Sequence, residues 1–88
     1  AYDVAASQRE AAARTLREIE VRLADARRTQ QRTQELRARN LVAQSAADAA
    51  DADVNALAAR LEASRADVAV ADSALRQRRQ DLDDHVIR

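Results

Sequence analysis

A spacing constrains this chain more than any other feature. Val54, Leu57, Leu61, Ser64, Val68, Ala71, Leu75, Arg78, Leu82 and His85 recur alternately three and four residues apart. That interval lays side chains along one stripe of an α-helix and forms the seam of a heptad coiled coil. The first half repeats it with Tyr2, Ala5, Arg9, Ala12, Leu16, Ile19, Leu23, Ala26, Gln30 and Thr33. This earlier seam turns polar near Gln30. Leu36 falls one residue off its register, which predicts a local stutter.

Composition points the same way. The 88 residues contain no Gly, Pro, Cys, Met, Phe or Trp, and Tyr2 is the sole aromatic. Of the apolar residues, 23 are Ala and only 17 are Leu, Ile or Val. A β-rich fold lacks its turn residues and aromatics here, and a disulfide scaffold lacks its cysteines. The longest purely apolar runs are Ala56 to Ala59 and Val68 to Ala71, far too short to span a membrane. No secretory leader is visible in these residues. Disorder would call for high net charge and helix breakers, and the chain has net charge zero and neither breaker. Ala, Arg, Glu, Gln and Leu are strong helix formers. The expected fold class is all-α, a two-helix antiparallel coiled-coil hairpin.

Zero net charge hides two halves of opposite sign. Residues 1–44 carry nine Arg against six acids, and residues 45–88 carry six Arg against nine acids. Two helices lying side by side would bring these halves together. Screened surface charge adds little to that pairing.

Between the seams lies Arg39-Asn40-Leu41-Val42-Ala43-Gln44-Ser45. Asn tolerates the left-handed conformation that ends many helices, so Asn40 is the expected stop. Arg37 and Arg39 suit a helix C-terminus. Ser45, with Asp48 three residues on, reads as an N-cap with an acidic partner. Asp48, Asp51 and Asp53 would then complement the dipole of the second helix. The expectation is helix 1 over about 3–39, a tip over 40–45 and helix 2 over about 46–85.

Folding the chain about a centre between Ala43 and Gln44 pairs the two seams. Ala5 then faces Leu82, Ala12 faces Leu75, Leu16 faces Ala71 and Ile19 faces Val68. Leu23 faces Ser64, Ala26 faces Leu61, Gln30 faces Leu57 and Thr33 faces Val54. Large side chains meet small ones in most layers, which allows close approach. A parallel dimer of single long helices is the alternative arrangement. On the outer faces, Glu10, Arg14, Glu18 and Arg22 form an i,i+4 ladder, with Glu35 and Arg39 as a further pair. Such faces read as solvated.

Chemistry is scarce. His85 is the only histidine, beside Asp81, Asp83 and Asp84, and reads as a solvated helix end rather than a metal site. Ser7, Ser45, Ser64 and Ser73 have no base at a useful spacing. No glycine loop can cradle a phosphate. No catalysis, cofactor or metal is expected. Arg27, Arg28, Arg32, Arg37 and Arg39 spread around their helix with Glu35 among them, a weak nucleic-acid signal in a neutral chain. The narrow Ala-rich stripe suits a coiled coil better than an interfacial membrane helix.

The stretch from Arg32 through Leu36, Asn40, Leu41 and Val42 to Asp48 resembles the hairpin tip of periplasmic adaptor proteins. These are the membrane fusion, or HlyD-like, proteins of tripartite efflux and type I secretion systems. Their tips commonly carry Arg, three residues and Leu, then a small turn residue, two aliphatics and later an acid before an Ala-rich helix. Arg32 and Leu36 match the first two, Asn40 the turn, Leu41 and Val42 the aliphatics, and Asp48 the acid. Family tips place Ser seven residues after the Leu, where this chain has Ala43, with Ser45 two residues later. The ending Asp84-His85-Val86-Ile87-Arg88 is similar to the segment where the family's second helix runs into the next strand of its lipoyl domain.

The resemblance implies a fragment of a larger adaptor, anchored in full length to the inner membrane and working in the periplasm. It implies self-association into a ring, usually of six, whose tips meet a TolC-like outer-membrane channel. An inner-membrane transporter would engage parts outside this chain. The implied partner-binding tip is Arg32, Leu36, Asn40, Leu41, Val42, Ala43 and Ser45. The rival expectation is a structural or dimerisation coiled coil of a larger cytoplasmic protein. A designed hairpin is a third reading, though designers usually choose Gly loops and Lys/Glu surfaces.

Overall fold

The computed structural model describes residues 2–87, with side chains through Asp84. The side chain of His85 and the Ile87-Arg88 ending therefore lie outside the described side chains. Two helices make up the fold: α1, Tyr2–Ala38, and α2, Gln44–Ile87. The chain is a two-helix antiparallel hairpin with no strand among the described residues. Neither helix is long and apolar enough to cross a membrane.

The hairpin divides into two compact units. The tip unit is residues 18–62, and the base unit joins residues 1–17 to residues 63–88. In the tip unit the buried apolar side chains are Ile19, Leu23, Ala47, Ala50 and Leu61. In the base unit they are Ala5 and Ala13, with Ser64 the buried polar residue. Ala13 stands one residue past the seam position Ala12; Ala5, Ile19, Leu23, Leu61 and Ser64 belong to the two predicted seams. Their remaining described members are half-buried, apart from Arg78 and Leu82, which are exposed. The second seam also extends four and seven residues upstream of Val54, to Ala50 and Ala47. Leu36 and Arg37 are both half-buried and share the position where a stutter was expected, yet α1 continues as α-helix through it.

The register differs from the expected one. In the base unit Arg9 binds Asp72 and Arg79 binds Tyr2, two pairs whose numbers each total 81. In the tip unit Gln30 binds Asp51 and Arg37 binds Gln44, and these also total 81. Arg9, Gln30 and Tyr2 are seam residues, and their partners each directly follow a seam position. The seams themselves therefore meet one residue earlier. Ala5 lies level with Leu75, Ala12 with Val68 and Leu16 with Ser64. In the tip unit Ile19 lies level with Leu61, Leu23 with Leu57, Ala26 with Val54, Gln30 with Ala50 and Thr33 with Ala47.

These pairings correct the Ala5–Leu82, Ala12–Leu75, Ile19–Val68 series by one heptad. A heptad pattern is unchanged by a seven-residue slide, so two seams cannot choose between registers on their own. The helix stop makes the choice. α1 ends at Ala38 and α2 begins at Gln44, two residues before the predicted start, so the turn is centred near Asn40.

Candidate partner-binding tip

Five residues, Arg39 to Ala43, connect the helices. No glycine is available to leave α1, and Asn40 takes that role with φ of 58°. The Leu41 N–H donates to the Leu36 carbonyl at 2.9 Å, and the Asn40 N–H donates to the Arg37 carbonyl at 2.9 Å. Together these two bonds form a Schellman motif, which satisfies carbonyls at the helix end. The Arg39 N–H is shared between the carbonyls of Glu35 and Leu36, at 3.3 and 3.2 Å. At the far side of the loop, the Ala46 N–H donates to the Ala43 carbonyl at 3.0 Å and opens α2.

Ser45 is thus not the N-cap. It lies inside the first turn of α2, because the helix starts at Gln44. That turn carries no acid, and Asp48 falls one turn further in. There its carboxylate accepts a bond from the Gln44 side-chain amide at 3.0 Å.

A polar clamp closes the loop from the side. Arg37 Nε donates to Gln44 Oε1 at 3.0 Å, and its Nη1 donates to Asn40 Oδ1 at 3.0 Å. One guanidinium thereby joins the last turn of α1, the left-handed residue and the first residue of α2. Its planar fork of donors suits this role in a way a lysine would not. Arg37 was expected only to complement the helix dipole. Its partnership with Gln44 could be found only from the register, which the seams leave open.

The candidate residues divide between two places. Leu36, Asn40, Leu41, Val42 and Ala43 gather at the tip. Leu36 and Val42 are half-buried, whereas Leu41 is 65% exposed. Arg32 stands one turn before Leu36 on the same side of α1 and is exposed. Ser45 is exposed on the first turn of α2. The tip therefore presents a large aliphatic side chain to solvent on a backbone fixed by caps on both sides.

Further down the tip unit, a groove of about 510 Å³ is lined by Arg22, Asp25, Ala26, Asp53, Leu57 and Arg60. Arg28 engages Asp25 beside it. No cluster of three or more His, Cys, Asp or Glu is placed to hold a metal among the described residues.

In the base unit the Arg9 guanidinium donates to Asp72 at 2.7 Å. The hydrogen bond, and then the charge of Asp72, raise the Arg9 pKa above its ordinary value. A raised pKa means that this contribution is present below the ordinary arginine range and is lost only above it. Arg79 is likewise raised, first by its bond to the Tyr2 hydroxyl. The predicted ladder is rearranged, with Glu10 facing Arg17 at 3.6 Å rather than Arg14. Both partners are more than half exposed, so the exchange has little energetic weight. No family model, no curated protein and no solved structure matches the chain.

Proposed function

We propose that this chain is the non-catalytic coiled-coil hairpin of a periplasmic adaptor in a tripartite efflux or type I secretion system. Its tip would dock on a TolC-like outer-membrane channel. Parts of the protein outside this chain would engage the inner-membrane transporter, and the assembled adaptors would form a ring, usually of six. The resemblance of residues 32–48 to adaptor tips suggests the family. The observation that carries the reading is Leu41, 65% exposed on a turn locked by the Schellman bonds and by Arg37. A rigid, exposed aliphatic side chain gains contact area at a partner with little ordering cost. Arg32 would supply a charged hydrogen bond to a carbonyl or carboxylate of the channel.

The test is complementation of export by the full-length protein. Leu41→Asp and Leu36→Asp should each abolish export, while circular dichroism of the 88-residue chain stays helical. Leu41→Asp is the cleaner variant because it spares the half-buried position of Leu36. Normal export by the Leu41 variant would return the chain to the class of structural coiled coils.

A further inference from the structure

The sequence contains a second helix start that the fold leaves unused. Ser45 and Asp48 have the spacing of an N-cap and its acidic partner, yet both lie inside α2. Using Ser45 as the cap would move the turn toward Ala43 and Gln44. That displacement is what a one-heptad slide of α2 along α1 requires. The seams would then meet as Ala5 with Leu82, Ala12 with Leu75, Leu16 with Ala71, Ile19 with Val68 and Ala26 with Leu61. Each of these layers is apolar and sets a small residue against a large one or two aliphatics together. These five layers suit either register, but nearer the turn Leu57 and Val54 would lie level with Gln30 and Thr33 in place of Leu23 and Ala26.

Polar links separate the two registers further. In the observed register Arg9 meets Asp72, Tyr2 meets Arg79, Gln30 meets Asp51 and Arg37 meets Gln44. In the slid register Arg9 would lie level with Arg78, and all four links would part. Asn40, now at φ 58°, would return to an ordinary helical conformation. Ser64, 4% exposed opposite Leu16, would move level with Leu23. Neither helix contains a glycine or proline that could pin the slide at a kink.

We infer that the hairpin is a two-register device, in which the Asn40 stop and the four cross-helix polar links hold one register and the Ser45 cap makes a one-heptad slide accessible. The slide changes which residues stand at the turn. Leu41 and Val42 would join α1, and Ala43 and Gln44 would replace them at the apex. This inference concerns the hairpin alone and does not depend on the identity of its partner.

Engineered cysteines read the register directly, because the chain has none of its own. Ala12→Cys with Val68→Cys reports the observed register, and Ala12→Cys with Leu75→Cys reports the slid one. Both pairs lie inside the base unit. A short bifunctional thiol reagent is added, and only cross-links within a monomer are scored. The 12–68 pair should react faster by about tenfold or more. Adding Asn40→Ala and Asp72→Ala should raise the 12–75 rate by about tenfold, since Ala at a left-handed position is penalised and Arg9 loses its partner. Ser45→Ala in that background should reverse the rise. Asn40→Gly, which keeps the left-handed turn and the fold, should slow the 12–75 reaction below that of the parent. A 12–75 rate that ignores Asn40→Gly, or a rise that survives Ser45→Ala, would overturn the inference by showing simple fraying. Absence of any 12–75 product when 12–68 is complete would overturn it too.

Discussion

Within the tip unit the buried side chains include Ile19, Leu23 and Leu61; within the base unit they are Ala5, Ala13 and Ser64. The same two helices supply both sets. Near the tip, large aliphatics lie level with one another and bury enough surface to hold the helices by hydrophobic contact. In the base, small residues occupy the covered positions, while Val4 and Val70 remain 55% and 70% exposed. Polar links span the helices in both units, Arg9 with Asp72 and Arg79 with Tyr2 in the base, and Gln30 with Asp51 and Arg37 with Gln44 near the tip, but in the base they are joined by few buried large side chains. A coiled coil can thus keep one spacing throughout and still change what holds it from one part to the next.

The sharpest way to break this contrast is to truncate matched residues. Leu23→Ala, at a side chain only 3% exposed, should cost about 3 kcal/mol in denaturant unfolding. Leu75→Ala, at a half-buried base position, should cost less than half as much. Equal losses would show that the base is as well packed as the tip. Next in size is Asn40→Val, which places a β-branched residue at φ 58° and should cost about 1–2 kcal/mol. Asn40→Gly should hold stability within a few tenths of a kcal/mol of the parent. Ser64→Ala replaces a buried residue with a better helix former, so it should stabilise by about 0.5 kcal/mol and narrow the difference between units. Asp72→Asn should give the smallest change, a slight fall in Tm that disappears at about 1 M salt, because both partners are partly solvated.

The two seams were legible because apolar spacing records which side of a helix is covered, and described positions from Ala5 to Leu75 follow it. Asn40 was legible for a local reason: no other residue near the turn tolerates a left-handed backbone so well. The register was not. Seven residues is the period of the pattern itself, so sliding one seam by that amount still lays seam against seam. The deciding contacts are long-range polar ones, such as Arg9 with Asp72, and pairwise charge gives no signal along a single chain. The misplaced start of α2 has a related cause. Ser45 and Asp48 satisfy the local capping pattern, but the Arg37–Gln44 clamp and the Schellman turn begin the helix earlier. At the candidate tip, the resemblance identified the stretch, whereas only the folded turn separates exposed Leu41 from half-covered Leu36 and Val42.

Among the described residues irregular backbone is confined to Arg39 through Ala43, and this has a consequence for proteolysis. Every other described arginine lies within α1 or α2, where the backbone must unwind before it can enter a protease cleft. Trypsin acting on the folded chain should therefore cut first after Arg39, at a single bond among many arginines. That nick would convert the pairing of the helices from an event within one molecule to an association of two, and their stability would then depend on concentration.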